Sequence, residues 1–211
     1  MSSPKAEIWE RYAAKYKPRR ATNAAGATTW LNWTQYPDHG PDETVLGELR
    51  GKRVLELGSG AGANLAHLAT LGAVCTGVDI APSRADLALK AWGHLGELDF
   101  ISADAIDYLA TAGESFDIVY SIFGAVWFSD PEELLPLVRK RMTAGGVLAF
   151  SHPPATQQDA KPGQVVQQRH LSNERWIEHL VAAGFHEIEA EIINAPEPGN
   201  PGTVLLRAHV A

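Results

Sequence analysis

The chain has 211 residues, 45% of them hydrophobic and 20% charged, and a formal charge of −7; this suits one compact domain with a short appendage and excludes a wholly disordered chain. The acidic balance argues against general nucleic-acid binding, DNA included, and against docking on an anionic membrane. Cys75 is the single cysteine, which excludes an internal disulfide and a cysteine metal cluster, and without an apolar run of about 18 residues or a signal-peptide pattern the expectation is a soluble protein of the cytoplasm.

The first twenty residues carry six basic groups against Glu7 and Glu10, a local +4 that leaves the remainder at −11. The Lys15–Arg20 end reads as a solvated segment or as an attractor for an anionic ligand. Spacing predicts a helix over 5–17, with Ile8, Trp9, Tyr12 and Tyr16 on one face and Pro18 ending it. Trp30, Trp33 and Tyr36 recur every three residues, so a helical turn would align them. Residues 1–41 therefore read as a helical cap or lid, and 42–211 as the main domain.

From Val54 short apolar runs alternate with helical stretches. Strands are expected at 53–57, 74–79, 99–103, 116–122 and 146–151, with helices at 62–71, 83–95, 105–110 and 131–142. That alternation signals βαβ units and a doubly wound, mostly parallel α/β sheet. A helix at 172–183 stops at Gly184. Strands at 186–194 and 203–210 follow with no crossover helix between them, so they must pair antiparallel. Residues 153–169 read as a long polar loop.

The sharpest motif is Val54-Leu55-Glu56-Leu57-Gly58-Ser59-Gly60-Ala61-Gly62, a strand running through glycines into a helix. Glycines let the backbone approach a ligand, and the helix offers free N–H groups. Gly58, Gly60 and Ala63 fit a dinucleotide fingerprint, with Asp79 placed to take ribose hydroxyls. Alone, this does not separate a nicotinamide dinucleotide from another adenosine-containing ligand. Three features do. Glu56 would repel a pyrophosphate but suits an ammonium, Asp104 follows the third strand where it can meet an adenine amino group, and the last two strands are antiparallel.

Together with Gly77-Val78-Asp79-Ile80, Ser102-Ala103-Asp104-Ala105, Phe116-Asp117-Ile118-Val119-Tyr120-Ser121 and Gly145-Gly146-Val147-Leu148, the motif resembles the class I S-adenosylmethionine-dependent methyltransferases of small-molecule type. The resemblance implies a seven-stranded sheet of order 3-2-1-4-5-7-6 and S-adenosyl-L-methionine as cofactor. It implies that Gly58, Ser59 and Gly60 surround the methionine portion and that Glu56 anchors the amino group. Asp79 would hold the ribose, Ile80 would pack on the adenine, Asp104 and the Ala105 N–H would read the adenine edge, and Ser121 would offer its carbonyl. Tyr12 or Tyr16 would reach the methionine carboxylate, with Trp33 alongside. Ile80 could equally be plain core and Asp104 a helix N-cap.

The implied reaction is methyl transfer to an O, N or C nucleophile of a small organic molecule, a natural product or small metabolite. His152, directly after the fifth strand, is the best-placed base, ahead of His39 and His170. No metal cluster is evident; Asp117 and Asp130 are spaced carboxylates that nothing requires to hold an ion. Rival readings are a tRNA-modifying methyltransferase drawing on the Lys15–Arg20 segment, a nicotinamide-dependent oxidoreductase, and a binder of S-adenosylmethionine without turnover.

Overall fold

The computed structural model describes residues 4–15, 19–155 and 168–211. In chain order the strands are β1 (Arg53–Leu57), β2 (Val74–Asp79), β3 (Leu98–Ser102), β4 (Phe116–Ile122), β5 (Met142–His152), β6 (Phe185–Ile193) and β7 (Thr203–Val210). The helices are α1 (Pro4–Ala13), α2 (Ala63–Thr70), α3 (Pro82–Trp92), α4 (Ala105–Thr111), the single turn α5 (Ala125–Phe128), α6 (Pro131–Lys140) and α7 (Asn173–Ala182). One sheet of order 3-2-1-4-5-7-6 joins all seven strands. Strands β1 to β5 run parallel, while β7 pairs antiparallel with both β5 and β6. The fold class, strand order and C-terminal antiparallel pair are those expected from the sequence and the resemblance.

Burial explains the strand sequences. β1 and β4 are buried on both faces and are mostly apolar, as interior parallel strands tend to be, with Glu56 and Ser121 as buried polar exceptions. Leu55, Leu57, Val119 and Phe150 face α4, α6 and α7. Val54, Tyr120 and Ala149 face the opposite side, against Leu65 and Leu68 of α2. β6 alternates in burial because it is an edge strand with one solvated face. β5 starts at Met142, four residues earlier than its apolar run, and the β4–β5 register is irregular between Phe116 and Ile118.

Residues 30–36 form no helix, contrary to the three-residue aromatic spacing. Asn32 and Thr34 take the backbone instead. Asn32 Nδ2 donates to Thr34 O at 2.6 Å and Thr34 Oγ1 donates to His39 O at 2.8 Å. Such short polar side chains compete with helical hydrogen bonds. The aromatics consequently part company. Trp33 is fully buried in the core beside Tyr120, Trp30 lies under the Arg19 guanidinium, and the Tyr36 hydroxyl donates to Pro201 O at 2.7 Å. Among the described residues, no helix is long and apolar enough to cross a membrane.

The exits of β1 and β4 meet backbone to backbone. A Cβ on Gly58 would stand 2.6 Å from Ala125 N and 2.8 Å from Gly124 Cα, and Gly58 has φ +81°. Strain at positive φ and overpacking each cost about 1–3 kcal/mol. Gly58→Ala should therefore lower stability by about 2–4 kcal/mol, read as a lower urea midpoint with unchanged slope; an unchanged midpoint would contradict the contact.

Candidate functional site

A cavity of about 900 Å³ opens over the C-terminal ends of β1 to β4, where open α/β sheets place their ligands. Its floor is the glycine turn. Gly58 N and Ser59 N donate to Val78 O at 2.8 and 3.1 Å. Gly60 N donates to Asp79 Oδ2 at 2.8 Å, and Ala81 N donates to Oδ1 at 2.9 Å. Asp79 thus clamps the turn to the end of β2 while lining the cavity with Ile80. Burial raises its pKa, and the amides of Ala81 and Gly60 and the charge of Arg84 oppose that rise. A Cβ on Gly60 would meet only open space; its φ of +55° is the reason for glycine there.

Asp104 caps α4 by accepting from Ile106 N at 2.9 Å, and its second oxygen pairs with Lys5 of α1. The helix-cap reading of Asp104 therefore stands, and the same carboxylate and Ala105 also line the cavity. Ser121 turns inward. Its hydroxyl donates to Leu57 O at 2.7 Å and accepts from Val126 N at 3.3 Å. That side chain straps β4 to β1 and starts α5, beneath the cavity wall.

α1 forms the roof. Lys5, Trp9, Tyr12 and Ala13 line the cavity, and Glu10 Oε1 accepts from Ser83 N at 2.8 Å at the start of α3. The Arg84 guanidinium donates to Ala13 O. Trp9 stacks edge-on against Tyr12 and Phe128, with centroids 5.4 and 4.6 Å apart. Tyr12 is 55% exposed. Tyr16 lies outside the described residues.

Glu56 is not in the cavity wall. It is 2% exposed and points to the opposite sheet face, near Tyr120, Asn64 and Arg19. Burial pushes its carboxyl up to about 8, against the lowering influence of Tyr120, Asn64 and Arg19. Glu56 Oε2 and the Tyr120 hydroxyl have no hydrogen-bond partner among the described residues. A carboxyl that is mostly protonated at neutral pH and faces away from the cavity cannot repel a pyrophosphate, so that argument against a dinucleotide falls.

Two further expectations are corrected. Trp33 lies in the core, away from the cavity, with its Nε1 donating to Asp42 O at 3.0 Å. His152 is 1% exposed and stands outside the cavity wall, packed among Trp127, Phe150 and Trp176. Its Nδ1 lies 2.7 Å from Pro153 O. A carbonyl only accepts, so Nδ1 carries the proton. Burial pushes its pKa down to about 4, which makes it a weak base. Of the Lys15–Arg20 segment, Lys15 lines the cavity, residues 16–18 lie outside the described residues, and both arginines are engaged within the chain. Arg19 donates to Trp30 O and Asn64 Oδ1, and Arg20 pairs with Asp38. Asp117 accepts from Arg53 N at the far end of β4, whereas Asp130 lines the cavity, so the two cannot share an ion. Sequence reasoning missed Arg84 and Arg169 as cavity residues; no motif marks either position.

Residues 55–150 match a family model described as a methyltransferase domain. A ubiquinone biosynthesis O-methyltransferase of Cereibacter sphaeroides is 32% identical over 147 residues, 69% of this chain and 58% of that protein. A trans-aconitate 2-methyltransferase of Delftia acidovorans is 36% identical over 107 residues, 49% of this chain and 39% of that protein. The chain thus spans about half the length of the curated relatives it matches. The solved S-adenosylmethionine-dependent methyltransferase of Mesorhizobium loti superposes with a TM-score of 0.65 at 21% identity, covering 79% of this chain and 94% of that one. The chain has the class I S-adenosylmethionine-dependent methyltransferase fold, and residues 55–150 carry the similarity to the family model.

The Glu56 carboxyl gives a stability test. The folded state keeps its proton up to about 8, whereas the unfolded state loses it near the ordinary carboxylate range. The folded chain binds more protons in that window, so this group costs stability as pH rises through it. Glu56→Gln should remove that loss. The Tm advantage of the variant should grow from pH 5 to pH 8; a constant difference would contradict the assignment.

Proposed function

We propose that the chain is an S-adenosylmethionine-dependent methyltransferase acting on a small organic molecule. The observation that carries this is one cavity bounded by the Gly58–Gly60 turn, Asp79 and Asp104 and roofed by aromatic residues of α1. The donor set fits the cofactor. Asp79 uses one lone pair of each oxygen on backbone amides, which leaves the others for ribose hydroxyls. Gly60 leaves room for the methionine portion. Ile80 supplies an apolar wall for the adenine, with Asp104 and the first turn of α4 at its edge.

The bound cofactor supplies a methyl group on a sulfonium. The chain's own residues bind, align and exclude water, which is most of what an in-line displacement requires. Trp9, Phe123 and Phe128 form the apolar wall that an organic acceptor would meet. The two relatives named above, a ubiquinone biosynthesis O-methyltransferase and a trans-aconitate 2-methyltransferase, support a small organic acceptor. His152 lies outside the cavity lining and stacks on Trp127, which argues against its serving as the base. A tRNA substrate is disfavoured, because Arg19 and Arg20 are engaged within the chain. A binder without turnover would share the same cofactor residues, so turnover with any acceptor is what separates the two.

Calorimetric titration with S-adenosylmethionine, S-adenosylhomocysteine and NAD⁺ tests the reading. The first two should bind in the micromolar range and the third should not. Asp79→Ala should weaken the first two more than tenfold, about 1.4 kcal/mol or greater for a lost charged hydrogen-bond pair. Binding of NAD⁺ alone, or an unchanged affinity in the variant, would overturn it.

A further inference from the structure

Arg169 stands in the cavity wall beside Phe128, Ser129 and Asp130. Its backbone is pinned, because its N–H donates to Trp127 O at 2.8 Å. Its guanidinium is only partly used. Nη2 stands 3.3 Å from Asp130 Oδ2, while Nε is buried with no hydrogen-bond partner among the described residues. Buried donors without partners are rare in native proteins and point to a missing ligand, ion or water. Asp130 cannot turn fully to the fork. Its Oδ1 is held at the start of α6, where it accepts from Glu132 N at 3.0 Å.

The guanidinium meets one carboxylate among the described residues, at 3.3 Å, and its planar fork can meet a second with two parallel hydrogen bonds. Ser129 adds a nearly buried hydroxyl in the same wall. Phe123 and Phe128 supply the apolar surface around it. An ammonium here would face Arg169, and an apolar group would leave Nε unpaired. Glu133 also lines the cavity but is exposed, where solvent weakens its repulsion.

Resting on the methyl-transfer reading of this cavity, we infer that the acceptor carries a carboxylate held by the Arg169 guanidinium, with its apolar body against Phe123 and Phe128. The carboxylate is a handle, and the methylated atom lies elsewhere on the molecule.

The test uses the full chain saturated with S-adenosylhomocysteine. Benzoate, benzyl alcohol and benzylamine, which present similar aromatic bodies with different polar groups, are titrated by ligand-observed NMR. Benzoate should bind at least tenfold more tightly than the other two. Arg169→Gln should erase that preference while S-adenosylhomocysteine still binds. Asp130→Asn keeps a helix-capping side chain and removes the competing charge, so it should tighten benzoate threefold or more. Equal binding of the three probes, a benzoate preference that survives Arg169→Gln, or no tightening in Asp130→Asn would overturn the inference. Should Arg169→Gln fail to fold, the Asp130→Asn result decides alone. Failure of the parent chain to bind S-adenosylhomocysteine would instead overturn the methyl-transfer reading, and this inference with it.

Discussion

The site depends on a backbone crossing with no room for a side chain. Gly58 at the end of β1 and Gly124 after β4 approach until either Cβ would collide with the other turn. The Ser121 hydroxyl fixes the spacing by bonding Leu57 O from below. Because the two exits are held this close, the glycine turn comes to line one cavity with Phe123 and Phe128. The turn's second anchor is Asp79, whose two oxygens hold Gly60 and Ala81. Two neighbouring strand ends therefore brace the turn from opposite sides, and neither brace uses a long side chain that could relax.

The roof is attached differently. Polar contacts tie α1 to the start of α4 through Lys5 and Asp104, and to α3 through Glu10 with Ser83 and Ala13 with Arg84. Its apolar contribution is the Trp9 ring against Phe128. Among the described residues of α1, Ala6 alone is buried. Elements with few buried apolar contacts open most readily. The floor is consequently part of the packed core, whereas the roof can separate from it without breaking that core. This division suits a ligand that must enter beneath α1.

Much of the fold was legible because it follows from periodicity and chain connectivity. The alternation of apolar runs and helical stretches gives the parallel sheet, and the missing crossover after β6 forces the antiparallel end. The glycine turn was legible because glycine takes positive φ at no steric cost, as Gly58 and Gly60 do. The strand order and the roles of Asp79, Asp104 and Ile80 came from the resemblance. What misled was spacing without context. Trp30, Trp33 and Tyr36 have helical spacing, but Asn32 and Thr34 satisfy the backbone locally and the three rings scatter. Glu56 lies one residue from the turn, but strand alternation turns it to the other sheet face. His152 ends the correct strand, but Trp127 and Trp176 enclose it. Arg169 was invisible because its place in the cavity depends on a long-range hydrogen bond to Trp127.

The central claim is that the ligand lies across the ends of β1 to β4 beneath α1. Hydrogen exchange of the chain with and without S-adenosylhomocysteine tests it most directly. The account predicts slowed exchange in α1, at 58–62, at 79–84 and at 103–106, with β6 and β7 unchanged. Binding that instead protects β6 and β7, or leaves α1 and the glycine turn exchanging as before, would contradict it.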